Sequence, residues 1–313
     1  MLLAFASALM LGASPAVVAQ AAAPAAPRAA SQFDPALTAV FERDYPTSEA
    51  HYQALKAAAG GGDRKTTANL PDWKGVWTHP FEKPPFFTFG EGTVSEPTLT
   101  PEYGKTTAQL TPEYQAKYEK KLADLRKGIE WDQLSACLPA GFPRWLTEPF
   151  LREFIVTPEQ TWMITEQQSE VRRIYTDGRG HIPADEAYPL WEGDSIGFWK
   201  GDTLVIHTNN LKPGQYQRGQ PDYSDKVSTV EMVRKVGPNA IEDRIVIYDP
   251  ESLTKPYRAY FHYELVPDPP RINMWSCNEN NNVVQTTAGG SDFVLPGEAG
   301  YKDPNTVGQA PAK

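Results

Sequence analysis

The chain has 313 residues, 40% hydrophobic and 22% charged, and its 29 Pro and 23 Gly make 52 positions. That share is below the roughly 25% that marks low-complexity chains, so a packed core is expected, and disorder and collagen-type repeats are excluded. Thirty Lys plus Arg against 39 Asp plus Glu give a formal charge of −9, without a basic block or an Arg-rich stripe. Nucleic acid and anionic membrane surfaces are therefore not expected as partners.

The first residues read as an address. Leu2 to Val18 are apolar or small, and Ala-Val-Val-Ala ends at Ala19, as before a signal-peptidase site. No Lys or Arg precedes the run, and Ser7, Gly12, Ser14 and Pro15 interrupt it. It falls short of the ~20 strongly apolar residues of a membrane span. Residues 1–20 are thus expected to be a signal peptide for a periplasmic or secreted protein, with no stable membrane insertion. Residues 21–62 read as an Ala/Pro spacer with short helices. The only two cysteines, Cys137 and Cys277, form an even count, which in an exported chain favours pairing; two separate buried thiols are the alternative.

Helices follow the spacer. Asp34-Pro35 and Ser48-Glu49 look like cap and first-turn pairs, and the second stretch ends at Gly60-Gly61-Gly62. Residues 63–150 are expected to be a helical segment packing on a barrel formed by the strands downstream. Within it Leu99-Thr-Pro-Glu-Tyr103 recurs as Leu110-Thr-Pro-Glu-Tyr114. Each copy offers a Thr cap, a Pro at the first helical position and a Glu at the positive helix end. After the second copy Tyr114, Tyr118, Leu122 and Leu125 recur at helical spacing up to Gly128.

From Leu151 the texture changes to short strands with turn signals. Strands are expected over 152–157, 161–166, 171–176, 195–199, 203–209, 228–236, 241–248, 257–266 and 271–277, with turns at Asp177-Gly178, Lys200-Gly201-Asp202 and Gly237-Pro238-Asn239. The fold class is mainly β, an antiparallel meander closing into a barrel over residues 151–285, preceded by N-terminal α-helices and followed by an irregular tail, 286–313.

Several residues carry possible chemistry. Gly193-Asp194-Ser195-Ile196-Gly197 matches a nucleophile elbow, but that needs strand, turn and helix, whereas Lys200-Gly201-Asp202 makes a hairpin. Ser195 therefore reads as a strand start. His207 and His262 fall in strands whose polar faces, if inward, would line a ligand site, with Tyr175 or Tyr260 as phenolic acid. Alternation puts Arg173 and Tyr175 on one face with Val171. Turned inward, that face pairs Arg173 with Glu231, either as a structural ion pair or as an oxyanion-binding pocket floor. Trp199 and Arg144 are further candidates for substrate contact. No two His have metal-ligand spacing, so no metal or organic cofactor is expected, a metal being the minority reading. The loop acids Asp185, Glu186, Glu192, Asp194 and Asp202, and the Asn278–Asn282 run, read better as solvated turns than as glycosidase or calcium sites.

The motifs Cys137-x-Pro139-x-Gly141-Phe142-Pro143-Arg144, Arg172-Arg173-Ile174-Tyr175-x-Asp177-Gly178-Arg179, Trp191-x-Gly193-x-Ser195-Ile196-Gly197-x-Trp199-x-Gly201-Asp202, Asp249-Pro250 and Cys277-x-Glu279-Asn280 together resemble a large family of exported bacterial proteins. The resemblance runs from Pro71 to Asn282. It implies a calycin-like, lipocalin-type barrel with Cys137 and Cys277 as partners. The chain departs from the pattern at Asp194, where His is usual, at His207, where an acid is usual, and at Tyr223, where His precedes Ser.

These residues point to an exported small-molecule enzyme acting by acid–base chemistry on an aromatic or hydrophobic substrate in a barrel pocket, as a lyase, isomerase or hydratase. In this reading His207 and His262 move protons, Tyr175 or Tyr260 is the phenolic acid, and Arg173 holds an anionic intermediate. The alternative is a periplasmic small-ligand-binding protein without catalysis, and a hydrolase ranks third.

Overall fold

The computed structural model describes residues 33–79, 109–127, 129, 132–273, 283–285, 291–294, 297–299 and 301. Nine strands close into a barrel: β1 (Val76–Thr78), β2 (Arg152–Val156), β3 (Gln160–Thr165), β4 (Val171–Tyr175), β5 (Asp194–Lys200), β6 (Thr203–Asn209), β9 (Ser228–Gly237), β10 (Ala240–Tyr248) and β11 (Tyr257–Leu265). Two short hairpins stand apart, β7 (Gly214–Gln215) with β8 (Asp222–Tyr223), and β12 (Val283–Gln285) with β13 (Ser291–Phe293). Eight of the expected strands are present. The ninth is not: residues 271–273 are not in a strand, and 274–277 lie outside the described residues. Closure comes instead from β1, which pairs with both β2 and β11.

The barrel strands neighbour one another in chain order, yet the barrel is mixed rather than an antiparallel meander. Ile174 and Tyr175 of β4 pair in parallel with Ser195 and Ile196 of β5. Parallel neighbours cannot be joined by a hairpin, so residues 176–193 form a crossover that returns the chain to the starting end.

Alternation sorts each strand into two faces. Trp77, Phe154, Met163, Ile174, Trp199, Leu204, Ile206, Val233, Ile245 and Phe261 converge in one buried cluster, which fills the lumen. Ile196, Phe198, Val205, Val230, Met232 and Val246 point the other way and pack under Leu37, Phe41, Tyr52 and Leu55. These last residues belong to α1 (Pro35–Phe41) and α2 (Ser48–Ala58), which therefore dock on the outer wall over β5, β6, β9 and β10. Asp34 caps α1, donated to by Ala36 N–H at 2.8 Å. The cap of α2 is Thr47 rather than Ser48: Ala50 N–H donates to Thr47 Oγ1 at 3.1 Å, and Ser48 is the first helical residue.

The helix α3 (Pro112–Leu125) forms as expected, with Tyr118 and Leu122 buried. Thr111 makes no side-chain cap; its hydroxyl donates to the Glu251 carbonyl at 2.7 Å, tying α3 to the turn after β10. The first copy of the echo, Leu99 to Tyr103, lies outside the described residues.

The charged face of β4 is the reverse of the expectation. Arg172 points into the lumen and donates twice to Glu231, at 2.8 and 2.6 Å, while Arg173 faces outward over the Trp162 ring. The reason is register: in a period-two strand a shift of one residue exchanges the faces, and Ile174, packed in the lumen, puts Arg172 inside with it.

Candidate functional site

The outer wall carries a polar constellation where three segments meet. Asp194 opens β5, His207 lies on β6, and Ser48 and Glu49 start α2. Asp194 pairs with Asn209 and Ile196 with His207 across the β5–β6 hairpin, so both polar side chains share the outer face. The crossover lays His181 over them. Gly193, at φ +66, gives the turn into β5 that only a residue without Cβ fits: a Cβ there would stand 2.6 Å from the Asn209 carbonyl oxygen. This steric demand, not a nucleophile elbow, accounts for that glycine. Ser195 itself faces inward, within 2.9 Å of Thr208 Oγ1 and 3.3 Å of Arg172 Nε.

The contacts form a chain. Asp194 Oδ2 lies 2.7 Å from His181 Nδ1 and also accepts from Ile182 N–H at 2.9 Å. His181 Nε2 lies 2.6 Å from His207 Nδ1, and His207 Nε2 lies 2.9 Å from Ser48 Oγ. Ser48 Oγ donates onward to Ser228 Oγ at 2.8 Å. Glu49 Oε2 reaches to 3.4 Å from His207 Nδ1. Below, the Tyr52 ring stacks on His207, with ring centroids 5.5 Å apart.

The hydrogen-bond network assigns the protons. An ionised carboxylate only accepts, so His181 Nδ1–H donates to Asp194. Ser48 gives its hydroxyl proton to Ser228, so His207 Nε2–H donates to Ser48. The two inner nitrogens, His181 Nε2 and His207 Nδ1, then face one another with their lone pairs over 2.6 Å. Burial, then His181, pushes the His207 imidazole down to about 3, against the pull of Asp194. Burial raises the Asp194 carboxyl, but the hydrogen bonds from His181 and Ile182 bring it below its ordinary value. The arrangement is a neutral imidazole facing an imidazole backed by a carboxylate, with Glu49 open to solvent beside it.

The other residues singled out in the sequence lie elsewhere. His262 is also on the outer wall, but its β11 position registers through Glu242 and Arg234 with Thr203. It is thus about three strand spacings (~4.8 Å each) and four residues (~3.3 Å each) from His207. The structure does not bring this pair together. Tyr260 donates to Glu42 at 3.1 Å, and burial and Glu42 push its phenol up to about 12. Tyr175 lies under the Arg179 guanidinium, 4.2 Å away. Glu231 and Trp199 are in the lumen, the latter edge-on to Trp73 at 5.4 Å. Arg144 is buried between Asp132 and Glu148, donating to them at 2.7 and 2.8 Å. The polar faces expected to line an inner pocket are therefore split: His207, His262, Tyr175, Tyr260 and Arg173 are outside, Glu231 and Trp199 inside.

Cys137 follows the 3-10 turn Gln133–Ala136, and no cysteine among the described residues is free. Cys277 lies outside the described residues. Near one barrel mouth, Leu70, Pro71, Trp73, Lys74, Phe154 and Val156 line a cleft of about 350 Å³.

The sequence reading missed His181, Ser48 and Glu49 as partners of His207. His181 and Glu49 are 132 positions apart, and the only local signal was Asp177-Gly178, a turn that opens the crossover. No family model, curated protein or solved structure matches the chain.

Proposed function

We propose that the chain is an exported small-molecule enzyme that works by proton transfer at the outer-wall site, with His181 and His207 as the acid–base pair. The observation that carries this reading is the Asp194–His181–His207 chain, with contacts of 2.7 and 2.6 Å. A carboxylate that fixes one imidazole nitrogen aims the other at the reacting position, and a neighbouring neutral imidazole keeps a proton acceptor available at neutral pH. Compared with the sequence-based assignment, His207 is retained. His181 takes the partner role given to His262, and Asp194 becomes the positioning residue. Tyr188, 64% exposed on the crossover that carries His181, supplies an aromatic surface for an aromatic or hydrophobic substrate of a lyase, isomerase or hydratase. Export to the periplasm or beyond, with Cys137 paired to Cys277, belongs to the same reading.

The test is solvent deuterium wash-in to a panel of aryl alkyl ketones and arylacetaldehydes, which carry an acidic α-hydrogen, followed by proton NMR in heavy water. Exchange above the buffer rate, lost in His181→Ala, is the expected result. Exchange at the buffer rate across the panel, or exchange unchanged in His181→Ala, overturns the reading. A ligand-binding protein without catalysis is the second reading. It is favoured by the cleft beside Trp73, whose volume is in the range of small-molecule sites, and would show as a panel compound that binds and is recovered unaltered.

A further inference from the structure

We propose that Glu49, His181 and His207 hold a divalent transition-metal cation of the zinc type, with one coordination position left open. One ligand atom from each lies within 4.8 Å of the other two: a Glu49 carboxylate oxygen, His181 Nε2 and His207 Nδ1. The mixed nitrogen and oxygen set suits zinc and its neighbours, and three protein ligands with a free fourth position is the arrangement of reactive rather than structural zinc.

The outer partners make the case stronger than the three ligands alone. Asp194 accepts from His181 Nδ1–H, and Ser48 accepts from His207 Nε2–H. Each bond occupies the nitrogen that faces away and turns the remaining lone pair into the shared gap. Metal-binding histidines are held in this way, by a carboxylate or other acceptor on the far nitrogen. Two lone pairs pointed at each other over 2.6 Å need a cation between them, and a proton or a metal ion fills that need equally. Around a tetrahedral ion at ~2.0–2.1 Å the two nitrogens stand about 3.3 Å apart. Each therefore shifts by less than half an ångström on exchange, roughly, and His181 sits on the crossover rather than in a strand. Glu49 and Asp194 together balance the double charge. Glu49, with its side chain 54% exposed, leaves the open position facing solvent.

The inference rests on the proton-transfer reading and deepens it: with the cation bound the two imidazoles would be its ligands, and a water at the open position would take over from them as the group that gives and takes the proton. Cation binding itself is measured without turnover. The full chain, stripped with a chelator and dialysed, is titrated with Zn²⁺ by calorimetry and with Co²⁺ by visible absorption. One cation per chain is expected, with a four-coordinate cobalt spectrum. Affinity should fall at least tenfold in Glu49→Gln and by 10–100-fold in Asp194→Asn, and binding should vanish in His181→Ala. Glu49 and His181 are not in the core, so these variants report on the site even if His207→Gln fails to fold.

Absence of stoichiometric binding, or binding unchanged in both Glu49→Gln and His181→Ala, overturns the proposal. The two readings fail separately. A metal bound as described without deuterium wash-in removes the enzyme reading and keeps the site, whereas wash-in by chelated protein with no cation binding removes the site and keeps the enzyme.

Discussion

Arg172 occupies the lumen with its guanidinium 3.7 Å from the Phe142 ring centre, doubly bonded to Glu231 and with Thr208 Oγ1 at 2.7 Å. Nearby, burial and then the Glu231 charge push the Asp243 carboxyl well above the ordinary carboxylate range, which favours its neutral form. A buried guanidinium has no solvent to fall back on if its partner is removed. Arg172→Met or Glu231→Leu alone should therefore cost about 3–5 kcal/mol, whereas the two changes together should cost much less, because no charge is left stranded. Denaturant midpoints for the two single variants and the double one test this as a cycle. Equal losses for single and double variants would show that the pair is not what holds this end of the lumen together.

Among the elements, the β5 start and the α2 start set the site. Thr47 takes the cap of α2, which leaves the Ser48 hydroxyl for His207 and puts Glu49 in the first turn. Both residues are good caps; with Thr47 in that role, the helix packs its buried face on Val205 and Val230. At β5, Gly193→Ala forces a side chain into a left-handed conformation against the Asn209 carbonyl and Leu211. Left-handed backbone alone costs about 1–2 kcal/mol, and the clash adds to it. The melting temperature should fall by at least ~2 °C, and cation affinity should fall with it as Asp194 is displaced. Gly201→Ala is the control: φ is +55 there, but no atom lies within 4 Å of the added carbon, so only the backbone cost remains. Equal effects at the two positions would remove the steric account of Gly193.

For the whole molecule, buried histidines give stability a dependence on acid. His79, at the end of β1, is 2% exposed and bonds through Nδ1 to the His262 carbonyl at 3.1 Å. Burial lowers its imidazole to about 4, the His262 carbonyl opposes this, and Arg152 and His262 add to it. The folded value lies below the unfolded one, so unfolded chains take up the proton first. The stability is intact above pH ~6.5 and is lost as pH falls from there towards 4, at up to about 1.4 kcal/mol per unit. Glu192 and Asp243 act with the opposite sign, since burial raises their carboxyls. His79→Gln should therefore lose less stability than the unaltered chain between pH 6.5 and 4.5, as measured by urea unfolding at each pH. Parallel curves would show that His79 is not titrating there.

The strands from Arg152 to Leu265 were legible because their alternation is local: period-two burial and Gly-rich turns are written in each segment and need no distant partner. The starts of α1 to α3 were legible for the same reason, to within a residue, although Thr111 donates to the Glu251 carbonyl instead of capping α3. Which face of β4 is inside was not, because alternation fixes that residues share a face but not which face the barrel encloses, and so Arg173 was read for Arg172. The parallel β4–β5 pair was hidden by turn signals that look alike before a hairpin and before a crossover. That one reversal brings His181 across the wall to Asp194 and His207, beneath a helix that starts more than a hundred residues earlier. The sequence by itself therefore determined a mainly β barrel with helices ahead of it. The polar site was decided by tertiary structure alone, since its distances depend on register, crossover and helix docking, none of which a local pattern encodes.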